Sequence, residues 1–91
     1  MLFLHSKHPI NRVTVGGEFI DGKLCLTAAR CGGKDNFSRK KGRLIVQGRF
    51  LKGKTLCVLD VVEPTYQTFV VEATKLAELV HQDMHYKTTL L

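Results

Sequence analysis

Residues 13–30 read VTVGGEFIDGKLCLTAAR, and the dipeptide Asp21-Gly22 lies at the centre of this stretch. An Asp-Gly pair suits the positive φ angles of a two-residue hairpin turn. On both sides of it, apolar residues recur at alternate positions, which is the pattern of a strand with one buried face. The stretch therefore predicts a β-hairpin whose turn consists of Asp21 and Gly22.

A two-residue loop also fixes how the two strands pair. Counted outward from the turn, the predicted pairs include Ile20 with Lys23, Phe19 with Leu24, Gly17 with Leu26, and Val15 with Ala28. Because side chains alternate between the two faces of a sheet, we expect one face to form the core. That face carries Val13, Val15, Phe19, Leu24, Leu26 and Ala28, whereas the other carries Thr14, Glu18, Lys23 and Thr27.

The length of 91 residues leaves room for one domain, so we predict a single domain over residues 1–91. Residues 1–10 and 87–91 are the segments expected to be loose. Hydrophobic residues make up 44% of the chain and charged residues 24%, which argues against disorder.

The cysteines and the first residues bear on localisation. Cys25, Cys31 and Cys57 contain no CxxC pair and cannot all pair with one another, which favours free thiols in a reducing compartment. The apolar start MLFL gives way at once to polar residues, so it is too short for a signal sequence or a membrane span. The sequence therefore predicts a cytoplasmic protein that does not bind membranes.

The positive charge is concentrated in residues 34–54, which hold eight of the 14 Lys and Arg residues and one acid. Asp35 is placed to cap a helix here, with Asn36 as a second candidate, and Gly53 marks its end. At about 100° per residue, one side of this helix is apolar and the other basic. The predicted inward residues are Phe37, Leu44, Gly48 and Leu51, with Ile45 at their margin. Gly42 and Gly48 indicate either close packing or an early end of the helix.

The second half of the chain predicts another hairpin and another helix. Residues 55–62 and 66–72 are rich in β-branched and aromatic residues, and a Glu-Pro-Thr turn separates them. Thr74 is then a candidate cap for a final helix with Leu76, Leu79 and Val80 inward. The predicted fold class is α+β, with an antiparallel four-stranded sheet and two helices in the order ββαββα.

The basic helix predicts an anion-binding surface. Arg39 and Arg43 lie one turn apart with Lys40 beside Arg39, so three cations can converge, and guanidinium forks match phosphate oxygens. The predicted contacts to nucleic acid or another anion are Lys34, Arg39, Lys40, Arg43, Arg49 and Lys52. Two alternatives stay open: a solvated basic face, and an acidic protein partner contacted by Val46 and Phe50.

The sequence gives little support for catalysis, cofactor binding or metal binding. There is no GxSxG elbow, P-loop, GxGxxG or familiar Cys-His signature, so we expect no enzyme and no cofactor. His81 and His85 have the i, i+4 spacing that places two imidazoles on one face of a helix, and Cys31 or Cys57 could complete a zinc site with them. The sequence has no HExxH motif and no cysteine pair with ligand spacing, so we predict that the histidines lie on the surface and bind no metal.

The segment from Cys31 to Arg49, written CxxKDNFSRKxGRxIxxGR, resembles a pattern in small uncharacterised proteins of bacteriophages and prophages. That family has no assigned activity, so the resemblance implies only the bacterial cytoplasm during infection. Val46-Gln47 stands where the family often has a small residue after Ile45. The resulting hypothesis is a phage accessory protein that binds nucleic acid or a phosphate-bearing ligand. The alternative is an inhibitor of a host polymerase, nuclease or defence component, and homo-oligomerisation stays open.

Overall fold

The structure is a computed structural model that describes residues 1–7, 12–31 and 39–82. Within these residues the chain forms four antiparallel strands and two helices, which confirms the α+β class. The elements in chain order are β1 (Leu2–Lys7), β2 (Arg12–Ile20), β3 (Lys23–Cys31), α1 (Arg39–Leu51), β4 (Cys57–Asp60) and α2 (Tyr66–Gln82).

The hairpin of β2 and β3 forms as predicted. Asp21 and Gly22 have φ angles of 50° and 76°, so both turn residues are in the left-handed region that a type I′ turn requires. The observed register runs from Arg12 opposite Cys31 to Ile20 opposite Lys23 and contains every predicted pair. The turn dipeptide therefore determines the alignment of the whole hairpin.

The strands follow the order β1-β2-β3-β4, and each helix covers a different face of this sheet. Adjacent residues of β2 show the arrangement, because side chains in a strand alternate between faces. The position of a Cβ at Gly16 is occupied by Val46 of α1, whereas one at Gly17 would meet Phe69 of α2. The molecule therefore has three layers: α1, the sheet and α2.

The main core lies between the sheet and α2. Its buried residues are Val13, Val15, Leu24, Leu26, Ala28, Phe69, Ala73, Leu76, Ala77 and Val80. The predicted apolar face of the hairpin is thus confirmed as core, with Phe19 at its partly buried edge. This core lies on one face of the sheet, and α1 lies on the opposite face.

The prediction of a strand at residues 66–72 is wrong, because α2 begins at Tyr66. Thr65 caps this helix: the Thr68 N–H donates to the Thr65 hydroxyl over 3.2 Å, and the Phe69 N–H donates to the Thr65 carbonyl over 3.2 Å. Burial of the residues at positions 69, 73, 76, 77 and 80 follows the 3.6-residue period of a helix. Helical periodicity therefore outweighs the β-propensity of the first turns.

Two details of the predicted second helix also change. Thr74 is not a cap but a residue of the helix interior, where its hydroxyl donates to the Val70 carbonyl over 2.7 Å. Leu79 was expected to face inward and is 47% exposed, whereas Leu76 and Val80 are buried as predicted. The helix begins eight residues earlier than the proposed cap, so it spans a longer part of the core.

The remaining strand comes from the start of the chain. Residues 2–7, expected to be loose, form β1 and pair with β2 from Leu2 opposite Gly17 to Lys7 opposite Arg12. β4 lies inside the predicted strand at residues 55–62 and pairs with β3 from Lys23 to Leu26. The chain order is therefore three strands, a helix, a strand and a helix, because β1 supplies the strand expected at residues 66–72.

The close approach of α2 to β2 predicts that Gly17→Ala destabilises the fold. The added Cβ would lie 2.6 Å from Phe69 Cε1 and 2.7 Å from Leu26 Cδ2, both buried. Overpacking of this kind should lower the free energy of unfolding by about 1–3 kcal/mol, measured by urea denaturation. In the double variant Gly17→Ala, Phe69→Leu, the free energy of unfolding should fall by less than the sum of the losses in the two single variants. An unchanged urea midpoint in Gly17→Ala would contradict the described packing.

Candidate anion-binding surface

Two small residues let α1 lie close to the sheet. Gly42 is buried against Thr14. A Cβ added at Gly42 would overlap the Thr14 hydroxyl and would lie 3.0 Å from the Thr14 Cβ. One turn later, the fully buried Val46 fills the space over Gly16. The Thr14 hydroxyl also lies 3.0 Å from His5 Nδ1, within hydrogen-bond distance. Gly42 and Val46 therefore define the face of α1 that contacts the sheet.

The predicted orientation of α1 is wrong. Leu44 and Leu51, expected to point inward, are 58% and 89% exposed, and a Cβ at Gly48 would have nothing within 4 Å. The sheet face beneath α1 presents small and hydroxyl-bearing residues such as Thr14 and Gly16 rather than a pocket for leucine. The helix therefore turns its glycine and valine toward the sheet and its leucines toward solvent.

The exposed residues of this helix form a continuous surface, which we call the outer face of α1. Its members are Lys40, Lys41, Arg43, Leu44, Gln47 and Leu51, and Lys52 follows directly after the helix. No acidic residue occurs between positions 36 and 59. Within the described part of the chain, Lys40 and Arg43 form no ion pair, whereas Lys23 and Lys75 pair with Asp60 and Glu72. The outer face therefore carries positive charge that these acids do not neutralise.

Arg49 differs from the other predicted contacts because it points toward the sheet. Its Nη1 donates a hydrogen bond to the carbonyl oxygen of Ala28, which lies beyond the part of β3 that pairs with β4. Burial lowers the pKa of the Arg49 guanidinium, which stays protonated because an arginine pKa is far above neutral. Arg49 thus links α1 to a stretch of β3 without a β4 partner.

The remaining predicted residues fall in several environments. Val46 is fully buried, so the prediction that it contacts a partner is wrong; Phe50 is partly buried. Arg39 is the first residue of α1, whereas Lys34 and the proposed caps and inward Phe37 lie outside the described residues. Among the predicted cations whose side chains the structure describes, Lys40, Arg43 and Lys52 are exposed and Arg49 is partly buried.

The end of α1 follows the prediction at Gly53. The helix continues past Gly48 to Leu51 and closes with the Lys54 N–H donating to the Arg49 carbonyl over 2.8 Å. The Gly53 N–H donates to the Phe50 carbonyl over 2.9 Å, and Gly53 has a φ angle of 70°. These two bonds form a Schellman motif, which satisfies carbonyls of the last turn. Gly53 therefore ends the helix two residues after Leu51, its last helical residue.

Acidic side chains gather elsewhere, beside the start of α2. An open groove of about 460 Å³ is lined by Leu59, Asp60, Val61, Val62, Glu63, Thr68 and Glu72. Burial, together with the charge of nearby Glu72, raises the pKa of the Cys57 thiol. Cys57 and Cys25 are free thiols. Acidic and basic surfaces therefore belong to different elements of the fold.

The described residues show no arrangement suited to a metal. Among them, no three His, Cys, Asp or Glu side chains are grouped so as to hold an ion. His81 is partly buried on the α2 side of the sheet, where its Nε2 lies 3.1 Å from the Ser6 hydroxyl. The other proposed ligands, His85 and the Cys31 side chain, lie outside the described part.

Comparison of the chain with protein-family models, curated proteins and solved structures finds no match. Neither described helix combines the length and apolar character needed to cross a membrane. The geometry and charge of α1 are therefore the basis for a functional proposal. The orientation of α1 was not visible in the sequence, because the contacts of Gly42 with Thr14 and of Val46 with Gly16 join residues that are far apart along the chain.

The two glycines of α1 should respond in opposite ways to alanine. Gly42→Ala places a methyl group against Thr14 and should lower the free energy of unfolding by about 1–3 kcal/mol. Gly48→Ala meets no atom within 4 Å and should raise it by about 1 kcal/mol, because alanine has the higher helix propensity. Urea denaturation of both variants measures the difference. Equal effects of the two changes would contradict the described orientation of α1.

Proposed function

We propose that the outer face of α1 binds nucleic acid or another phosphate-bearing ligand, with Lys40, Arg43 and Lys52 as contacts. Lys34 and Arg39 extend the same basic segment toward the start of the helix. The observation that carries the proposal is the exposure of Lys40 and Arg43 without ion pairs in the described structure. Phosphates would supply the missing negative charge through charge-assisted hydrogen bonds.

The location of the acids favours this proposal over a purely solvated basic face. A solvated face is usually balanced by carboxylates nearby, but Asp60, Glu63 and Glu72 line a groove beside β4 and α2. Clustered charge that these three acids do not compensate attracts polyanions and accelerates their association. The contacts of Gly42 and Val46 with the sheet fix the backbone that carries the cations, which reduces the entropy lost on binding.

The proposed setting is the cytoplasm of a bacterial cell during phage infection, following the resemblance of residues 31–49 to phage proteins. In that setting, both viral and host nucleic acids are abundant. The proposed function is that of an accessory binding protein without catalysis.

The proposal predicts that the affinity for nucleic acid falls steeply as salt rises, because cations on the outer face of α1 contact phosphates. Fluorescence anisotropy with short single- and double-stranded oligonucleotides, measured at several salt concentrations, gives the slope of log K against log salt. Combining Lys40→Gln with Arg43→Gln should weaken binding and reduce that slope by about 2, because each lost phosphate contact releases about one counterion fewer.

Lys75→Gln is the matched control for this experiment, because Lys75 is an exposed lysine on α2, on the other side of the sheet. It forms an ion pair with Glu72 over 3.3 Å, which at an exposed position contributes little to stability. Binding should be close to that of the unmodified protein. Affinity that does not change with salt, or equal losses in Lys75→Gln and the α1 variant, would rule out the proposed surface.

A second candidate function is inhibition of a host protein, and the exposed leucines of α1 favour it. Leu44 and Leu51 lie seven residues apart on the outer face, and they are 58% and 89% exposed. Apolar residues beside cations suit an acidic protein surface with an apolar centre. Val46 cannot contribute, because it is buried.

This alternative predicts a binding partner that survives nuclease treatment. A pull-down from nuclease-treated bacterial lysate should recover one protein in stoichiometric amount. Leu44→Ala combined with Leu51→Ala should reduce the recovery at least tenfold, consistent with loss of about 1.4 kcal/mol of binding energy. Leu79→Ala on α2 is the control, since Leu79 is 47% exposed on a different element. A partner that disappears on nuclease treatment would contradict the alternative.

A further inference from the structure

Most cations of the outer face lie at its two borders along α1, whereas its uncharged residues lie between them together with Lys40. At about 100° per residue, Arg43 lies at one border of the exposed half, and Lys41 and Lys52 lie at the other. Between the borders are Lys40, Leu44, Gln47 and Leu51, and all of these side chains are exposed. The helix therefore presents a mixed polar and apolar centre between two cationic borders.

We infer that this helix enters the major groove of double-stranded DNA and that Leu44 and Gln47 select A·T base pairs. The inference rests on the proposed function, because it identifies which phosphate-bearing ligand the same surface recognises. The two cationic borders would contact the phosphate backbones on either side of the groove. The uncharged residues of the central strip would then face the base edges, and Lys40 would extend from the strip to a phosphate.

The dimensions of α1 fit this placement. Its 13 residues give a length of roughly 20 Å, and an α-helix with its side chains is about 10–12 Å across. The major groove of B-DNA is about 12 Å wide and admits one α-helix. Among the described elements, α1 contacts mainly β2 and β3, which lie on one side of it, and its outer face is exposed on the opposite side, toward a groove.

Two uncharged side chains of the central strip, Gln47 and Leu44, match one class of base pair. A glutamine amide can form two hydrogen bonds with the N6 and N7 atoms of adenine, which suits Gln47. Aliphatic groups contact the C5-methyl group of thymine, which suits Leu44, three residues away on the same strip. Both atoms belong to an A·T pair as seen from the major groove. Gln47 and Leu44 therefore indicate the same preference.

Other nucleic acids suit the outer face less well. Single strands are commonly held by stacking on aromatic side chains, and the residues described as exposed on α1 include none, since Phe50 is partly buried. The major groove of an RNA duplex is deep and narrow, so side chains on a helix do not reach its base edges. Duplex DNA is the polyanion whose shape and base edges both match this helix.

Competition binding can test the inference with four probes of equal length: an A·T-centred DNA duplex, a G·C-centred duplex, a single strand and an RNA duplex. The A·T-centred duplex should bind at least fivefold more tightly than the G·C-centred one, as expected for one bidentate contact. Gln47→Ala should remove most of that preference without changing the salt slope. Gln67→Ala, at an exposed position of α2, should leave it intact.

The contact of Leu44 is tested by replacing thymine with deoxyuridine, which lacks the C5-methyl group. The replacement should weaken binding by about fourfold in the unmodified protein, the effect of one buried methyl group. It should have no effect in Leu44→Ala, and the normal effect in the control Leu79→Ala. Leu44, Gln47 and the control residues Gln67 and Leu79 are all exposed, so we expect the four alanine variants to stay folded.

The outcomes separate this inference from the proposal beneath it. Equal, salt-dependent binding of all four probes would overturn the inference and leave phosphate binding in place. Preference for duplex DNA without sensitivity to Gln47 or the thymine methyl group would overturn the reading of A·T pairs. Absence of salt-dependent binding to any probe would overturn the proposed function itself. Strong binding of a protein with no binding of DNA would favour the inhibitor alternative instead.

Discussion

Gly16 and Gly17 allow the central strand β2 to be packed between two helices, and the rest of the architecture depends on this constraint. Val46 of α1 occupies the space above Gly16, and Phe69 of α2 occupies the space below Gly17. Because successive residues of a strand face opposite sides, two adjacent glycines open both faces at the same level. The approach of α1 to one of these faces determines which of its residues remain in solvent, and hence the composition of its outer face.

The parts of this fold that the sequence predicted are those determined by local chemistry. Asp21-Gly22 specified a tight turn, and the turn length then set the register of the hairpin. The first half of α2 was assigned to a strand because its first turns are rich in β-branched residues, although its buried positions repeat with a helical period. β1 was missed because a short apolar run beside a polar stretch gives little periodicity, and its strand conformation depends on pairing with β2.

The candidate site shows the same division between local and non-local information. The clustering of cations in α1 was visible in the sequence, and Lys40 and Arg43 are exposed as the prediction required. The orientation of the helix was not visible, because it depends on the fit of Gly42 against Thr14, residues 28 positions apart. Periodicity assigned the leucines to the core because they are apolar, whereas Gly42 and Val46 make the close contacts with β2.

The electrostatics of α1 connect its stability to its proposed ligand. Its first turn contains Arg39, Lys40 and Lys41 and no acid, so cations lie at the positive end of the helix dipole, where they are unfavourable. Two glycines weaken the helix further, and packing on the sheet must offset both costs. A phosphate near this end would interact favourably with the cations and the helix N-terminus at once. Binding would thereby remove a repulsion that the free protein carries, so ligand affinity and helix stability are thermodynamically linked.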